Sequence, residues 1–466
     1  MMSLLREQLC SPVVEQERVI DRLAGLEAVV TQETLERVLE QTGRVDTRRC
    51  RLSYGVTLWI TLAMGLLTDR PIRQVFKASR RLHGREQTPH RSSLCIARQR
   101  LGVAPVRALF HEVVRPLASP HVPGGFYRGY RLMAIDGTVL NLPDTPANER
   151  AFGRPSGGSR GAGAFPQCRK TSLVELGTHV ELDFIVKPIR CGEATAMQAL
   201  WRSVPPDSLL LWERGFFGYS GWKTALTQQV QLLCRVKKDL VLRPIESLAD
   251  GSFLAKVYPK AYAREKDRHG IVVRVIRYKL ADPQRVGHEE EHTLLTSLLD
   301  AEQSPAAELI CLYHERWEEE LTFDEQKTHL DPRRASKSAN LRSETPAGVV
   351  QELYALSLAH FVIRKMMFDA AQTADLDPDQ LSFTGCFQIL ITRLPECPGG
   401  SSLQSIQDWY ALLLWEMSQE LLPPRRNRIN PRVIKQKMSN WAKKRPQHFH
   451  PPPLTKTFEE SIVMLC

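Results

Sequence analysis

No two of the ten cysteines, at positions 10, 50, 95, 168, 191, 234, 311, 386, 397 and 466, stand at Cys-x-x-Cys spacing. Their scatter argues against a zinc ribbon and a disulfide framework, and it fits a reducing compartment. No Gly-Lys-Ser/Thr occurs in the glycine-rich stretch 153–163, so a phosphate-cradling P-loop is excluded. The most apolar run, Leu52 to Leu67, lies between Arg51 and Asp69. It is shorter than the roughly 20 residues of a membrane span and reads as a buried core helix. The opening Met-Met-Ser-Leu-Leu-Arg-Glu-Gln has no n-region leading into an apolar h-region, so neither a signal peptide nor a membrane partner is expected. Acids are missing from one long stretch: Arg425 to Arg445 holds nine basic residues and no Asp or Glu.

What is present favours a polyanionic partner. Lys and Arg outnumber Asp and Glu by 63 to 52, a net charge of +11, with a pI near 9.2; nucleic acid is the commonest partner for such a surface. The basic tail, in which Arg425, Arg426 and Arg428 open the run and Trp441 interleaves, can neutralise several phosphates. A solvated tail is the other reading. At 466 residues the chain is long enough for two or three domains.

Residues 1–120 read as short helices: one from Val30 behind a Thr cap, then Leu52–Leu67, Pro71–Arg81, Ser92–Leu101 and Val106–Leu117. Arg80, Arg81, Arg85, Arg91, Arg98 and Arg100, expected to be exposed between them, suit a DNA-binding bundle or, equally, a packing domain. From Tyr127 the period becomes that of strands. Arg131 to Leu142 is an apolar strand with one acid, Asp136, expected to turn near Asp136-Gly137. That acid is a turn residue or a metal ligand at a strand end. Residues 144–170 read as a mobile basic loop that could order on a phosphate backbone or, equally, as plain disorder, followed by strands Thr171–Leu176 and His179–Pro188 and a helix Glu193–Ser203. Ser208–Trp212 is a buried strand ending on Glu213. Gln231–Val236, Leu240–Arg243, Phe253–Val257 and Ile271–Tyr278 read as a β-rich insertion, and Gly348–Met367 as a long apolar helix packing on the sheet.

The most informative stretch is Tyr313 to Lys327. Tyr313, Arg316, Glu320 and Lys327 are spaced by three, four and seven residues, which places them on one face of a continuous helix. A carboxylate bracketed by Arg, Lys and a Tyr hydroxyl suits a group that holds a divalent metal beside a phosphodiester. A solvated, salt-bridged surface helix is the competing reading, because Glu318, Glu319 and Glu325 make the stretch simply charge-rich. Asp136, Glu213 and Glu320 together are far more specific than any one of them, since an α/β fold can bring two strand ends and a helix face together.

Taken together these residues resemble a DDE transposase of the insertion-sequence-4 family, over most of the chain. Ala134-Ile-Asp136-Gly-Thr138 resembles the first catalytic strand, and Leu209-Leu-Leu-Trp-Glu213-Arg-Gly-Phe-Phe-Gly-Tyr219 the second. Tyr313, Arg316, Glu320 and Lys327 match the family's Y-x2-R-x3-E-x6-K signature. Residues 25–82 resemble the N-terminal helical domain, and Leu341 to Tyr354 the segment after the third acid.

The resemblance implies an α/β fold: a ribonuclease-H-like mixed sheet with a β-rich insertion, preceded by an all-α N-terminal domain. The expected limits are 1–120 for the helical domain, 121–230 and 306–370 for the two parts of the catalytic domain, 231–305 for the insertion, and 371–466 for a helical region with the basic tail. It also implies Mg2+-dependent cleavage and strand transfer on double-stranded DNA, at element ends and target, by a homodimer in a synaptic complex. The expected setting is the bacterial cytoplasm, at the nucleoid. Asp136, Glu213 and Glu320 would hold two Mg2+ ions about 4 Å apart, with Mn2+ as a substitute. Tyr313, Arg316 and Lys327 would contact DNA phosphates.

One departure stands out. The family pattern has Asp where this chain has Glu213, and an extra methylene displaces a carboxylate by over about 1 Å unless the backbone compensates. Asp207 lies too early on its strand to substitute. Either the strand end sits back and Glu213 still ligates metal, or the chain is a catalytically impaired, transposase-derived DNA-binding protein. A nuclease without strand transfer is a further alternative. The otherwise intact pattern favours an active enzyme.

Overall fold

The computed structural model describes residues 30–48, 50–78, 88–155, 163–285, 288, 290–330, 341–393, 396, 403–423, 433–434, 442–443 and 454–465. The N-terminal helices are α1 (Gln32–Gln41), α2 (Tyr54–Leu66), α3 (Ile72–Ala78), α4 (Arg91–Leu101) and α5 (Ala104–Val113). Side chains of Thr31 and Ser53 cap α1 and α2 by accepting from the backbone N–H three residues on. α5 stops at Val113, short of the expected Leu117, because Pro116 disfavours a helical residue before it.

Next come β1 (Tyr130–Asn141), α6 (Pro146–Phe152), β2 (Gln167–Glu175), β3 (Val180–Pro188), α7 (Glu193–Met197), β4 (Ser208–Trp212), α8 (Tyr219–Thr227) and β5 (Gln231–Arg235). β6 (Glu246–Ser247), β7 (Phe253–Val257), α9 (Ala261–Glu265), β8 (Ile271–Leu280) and β9 (His292–Thr296) follow. Then come α10 (Ala306–His314), α11 (Trp317–Asp324), a π-helical turn at Glu325–His329, α12 (Pro346–Thr373), α13 (Phe383–Arg393), α14 (Leu403–Ser418) and β10 (Ile462–Met464). This is the α/β architecture expected, of ribonuclease-H-like type behind an all-α start.

Four local expectations are corrected. β1 does not turn at Asp136-Gly137 but runs on to Asn141. The 144–170 segment holds α6, capped by Thr145, and Arg154 there pairs with Asp144 and Glu149; residues 156–162 lie outside the described residues. Leu240–Arg243 forms no strand, because the ladder to β7 starts only beyond Pro244, with the Ile245 N–H donating to the Leu254 carbonyl at 2.8 Å, whereas His292–Thr296 does. Arg98, expected to be exposed, is partly buried and donates to the Ser343 hydroxyl and the Gly348 carbonyl.

The chain divides into two compact units. One comprises the described residues of Met1–Phe126, Asp136–Ser203 and Glu318–Leu422. Its core is the pairing of α2 with α12, and nearly every residue of α2 from Val56 on is buried, as an unbroken apolar run demands. The two helices approach so closely at Gly65 that a β-carbon there would lie 2.1 Å from the Ala355 carbonyl oxygen. Arg342 donates to the Met64 and Leu67 carbonyls at the end of α2, at 2.7 and 3.0 Å, where a cation also complements the helix dipole. The β2–β3 hairpin also packs on α12, with Phe184 and Tyr354 ring centroids 4.5 Å apart.

The second unit comprises Tyr127–Ile135, Val204–Trp317 and the described part of Pro423–Cys466. Its strands run β1-β4-β5-β9-β8-β7-β6. β1, β4 and β5 are parallel, with Ile135 opposite Trp212 and Leu211 opposite Leu233, and the crossover between β4 and β5 is α8. The remaining strands are antiparallel.

Candidate active site

β1 is fully buried from Leu132 to Ile135, and burial relaxes at Asp136. The Asp136 carboxylate accepts the Gly137 N–H at 2.6 Å. A β-carbon at Gly137 would meet the Glu193 carboxylate at 2.9 Å, so the residue after the acid has to be small. Glu193 is itself held by Arg169, which is therefore engaged inside its own unit.

Burial relaxes likewise where β4 ends. Trp212 is fully buried, and the chain turns with Phe216 N–H donating to the Glu213 carbonyl at 3.0 Å. Glu213 is half exposed, and its carboxylate lies 2.9 Å from the Arg316 guanidinium. The Tyr313 hydroxyl donates to the Trp212 carbonyl at 3.1 Å, and burial raises its pKa despite the nearby Arg316. Both donors thus address the strand end that carries Glu213.

The stretch from Tyr313 to Lys327 is not the continuous helix that its spacing suggests. α10 ends at His314, and Glu315 and Arg316 donate to carbonyls three residues back instead of four. α11 starts afresh at Trp317, and the chain then widens into the π turn that carries Glu325, Gln326 and Lys327. Such turns concentrate at functional sites. Tyr313, Arg316 and Glu213 belong to one unit; Asp136, Glu320 and Lys327 belong to the other.

Glu320 is partly exposed. Lys327 lines a cavity of about 240 Å³ with Lys170, Thr138, Asn141, Phe323 and Arg342. Burial, followed by the repulsion of Lys170, lowers the Lys327 pKa, and Asp136 is among the groups that oppose this. Arg425, Arg426 and Arg428 lie outside the described residues.

The sequence reading missed a buried polar cluster beneath this helix. Glu318 and Glu325 are buried, not solvated. The His179 ring meets Glu318 at 2.9 Å, Asp379 at 3.2 Å and Glu325 at 3.4 Å, and Arg364 and His360 bind Glu325. Burial and the Arg364 guanidinium push His179 down, but Asp379, Glu318 and Glu325 outweigh them and lift it to about 9. His179, Glu318 and Asp379 offer three ligand atoms within 4.8 Å of one another. The Glu318 contact is that of a shared proton, since tetrahedral ligands of a metal at about 2.0–2.1 Å stand slightly further apart. A second knot joins Lys170 to Glu181 at 2.8 Å, to Gln326 at 2.7 Å and to Ser357 at 3.0 Å.

Residues 20–111 match the family described as insertion element 4 transposase N-terminal, and residues 127–362 match the transposase DDE domain. The chain is 28% identical over 425 residues to the transposase InsG for insertion sequence element IS4 of Escherichia coli K12, which spans 89% of this chain and 92% of the relative. It is 26% identical over 185 residues to the putative transposase InsZ of the same strain, covering 40% of this chain and 61% of InsZ. Among solved structures, a piggyBac transposase synaptic complex with hairpin DNA aligns at a TM-score of 0.41 and 11% identity, over 86% of this chain and 87% of that one.

Proposed function

Because the chain belongs to the insertion-sequence-4 family of DDE transposases, we propose that it cleaves and joins DNA at the ends of an insertion sequence through Asp136, Glu213 and Glu320. The observation that carries this reading is the register of β1 and β4: Ile135 faces Trp212, and the two proposed acids are the next residues on their chains. The family generally uses divalent metal ions. The proposed donor set is all carboxylate oxygen, as Mg2+ prefers, and each of the three acids is at least partly exposed. Divalent ions held there would activate the attacking water or 3'-hydroxyl and stabilise the leaving oxygen.

The chain's own residues do the rest. Arg316 anchors the Glu213 carboxylate from a buried position, so the longer side chain has a fixed reach. Tyr313 pins the carbonyl before it. Lys327 brings a cation to the region of Asp136 and is assigned to the phosphate of the transferred strand. The basic tail from Arg425, Arg426 and Arg428 is assigned to the backbone of duplex DNA, bound by a homodimer that pairs two ends. The limits 1–120, 121–230, 231–305, 306–370 and 371–466 are assigned as the functional modules.

One observation favours a second reading, an impaired DNA-binding derivative: Glu213 is already paired with Arg316. Metal-dependent cleavage of an end-containing duplex by the purified chain decides between them. Cutting by wild type supports the enzyme; an inert wild type with an active Glu213→Asp variant supports the impaired form. Pre-cut ends then test joining, because a nuclease alone yields no joined product.

A further inference from the structure

We propose that His179, Glu325 and Arg364 are positioning residues: with Glu318, Asp379 and His360 they form a buried clamp that fixes the segment carrying Glu320 and Lys327. This rests on the roles assigned to those two residues above.

The segment needs such a device. α11 is eight residues long and is interrupted on both sides, by the break at Glu315–Arg316 and by the π turn at Glu325–His329. A helix that short inherits no orientation from a long axis, so its direction has to be set from the side. The clamp does this at both ends. Glu318, two residues before Glu320, meets His179 of the β2–β3 hairpin at 2.9 Å. Glu325, two residues before Lys327, is bound by His360 at 2.8 Å and by Arg364, both on α12. His179 also contacts Asp379, so one ring ties the hairpin, α11 and the chain after α12 together. The Lys170–Glu181 knot grips Gln326, the neighbour of Lys327, through Lys170 and through Gln326 Nε2 to Glu181 at 3.0 Å.

Six ionisable side chains here are buried or nearly so. Burying charges is costly, and well-packed apolar residues of similar volume are often at least as stabilising. What a buried polar network adds is a restricted geometry, because each donor and acceptor accepts few alternatives. His179 also adopts φ of 56°, in the left-handed region that residues with a β-carbon rarely occupy. The hairpin turn thus tolerates strain to deliver this ring.

The test uses the full chain with His179→Gln, Asp379→Asn, Arg364→Ala and Arg364→Lys. Four quantities are measured: thermal melting, affinity for a duplex carrying the element's own end, single-turnover cleavage of prebound DNA, and Mn2+ half-saturation by paramagnetic resonance. The expected result is DNA affinity within about twofold of wild type, with cleavage slower and Mn2+ binding weaker by about 10–100-fold, the usual scale for groups that orient ligands. Arg364→Lys should recover part of what Arg364→Ala loses. If His179→Gln does not fold, the near-isosteric Asp379→Asn carries the test. Folded variants with unchanged cleavage and Mn2+ binding, or losses that merely track the unfolded fraction, overturn the clamp alone. A wild type that neither binds Mn2+ nor cuts overturns the assignment of Glu320, and the clamp with it.

Discussion

The Arg316 guanidinium stands 2.9 Å from the Glu213 carboxylate, and the two side chains differ sharply in exposure, 5% against 48%. A buried cation holding a half-exposed acid is an anchor, not a surface ion pair. The longer arm spans the gap to Arg316 while its carboxylate stays accessible. Glu213→Gln, which keeps the shape and removes the charge, is therefore expected to lower end cleavage by at least about a thousandfold, the scale of losing a group that stabilises developing charge. Glu213→Asp should stay within about tenfold of wild type. Single-turnover cleavage in Mg2+ and in Mn2+ measures both.

A second prediction concerns the scaffold. Gly65 lets α2 reach the backbone of α12, and a β-carbon there would collide with the Ala355 carbonyl, which has no rotamer to yield. Gly65→Ala should cost about 1–3 kcal/mol, as overpacking a close contact does. It should do so despite alanine's better helix propensity. Urea unfolding reads the loss; an equal or higher midpoint would show that the helices separate without cost.

What the sequence disclosed and what it hid follow from the range of the interactions. Asp136 and Glu213 were legible because each ends an unbroken buried run, Leu132–Ile135 and Ser208–Trp212, and a strand writes its burial into consecutive residues. α2 was legible for the same reason. The partners of Glu318 and Glu325 are invisible in the sequence because charge is local information and partnership is not. Glu325 finds His360 35 residues later and His179 146 residues earlier. The π turn is equally invisible, since the spacing from Tyr313 to Lys327 fits a regular helix. Leu240–Arg243 misleads in the opposite sense, an apolar run that lies before the ladder, which starts at Ile245.

The clamp also predicts a pH dependence of stability. His179 is raised from 6.5 to about 9, so the folded chain binds its proton more tightly than the unfolded chain does. That contribution is complete below about 6.5 and is lost as the pH rises through 9. Glu325 is shifted the other way, well below 4.5: burial alone would raise it, but Arg364, His179 and His360 hold it ionised. Its contribution is complete above 4.5 and is lost in acid. His360 is lowered, chiefly by burial, so its share appears above 6.5 and fades as the pH falls. The stability gap between wild type and His179→Gln should therefore narrow from pH 6.5 to 9, which urea titrations across that range would show. A gap independent of pH would mean that His179 is neutral in the fold.

The tail makes a prediction of a different physical kind. Arg425, Arg426 and Arg428 open a run of nine cations without an acid, and cations that neutralise phosphates release counterions, so each contributes about 0.9 to the slope of log affinity against log salt. Replacing all three by Ala should reduce that slope by about 2–3. Backbone contacts carry no base information, so the drop should be equal on end-containing and random duplexes. Arg316→Gln provides the contrast. Its guanidinium is buried against Glu213, so its loss should slow cleavage while leaving the salt slope of duplex binding where it was. A triple variant with an unchanged slope would move the duplex contact to other cations of the chain, and a slope that falls with Arg316→Gln would place that residue on the DNA rather than behind the acid.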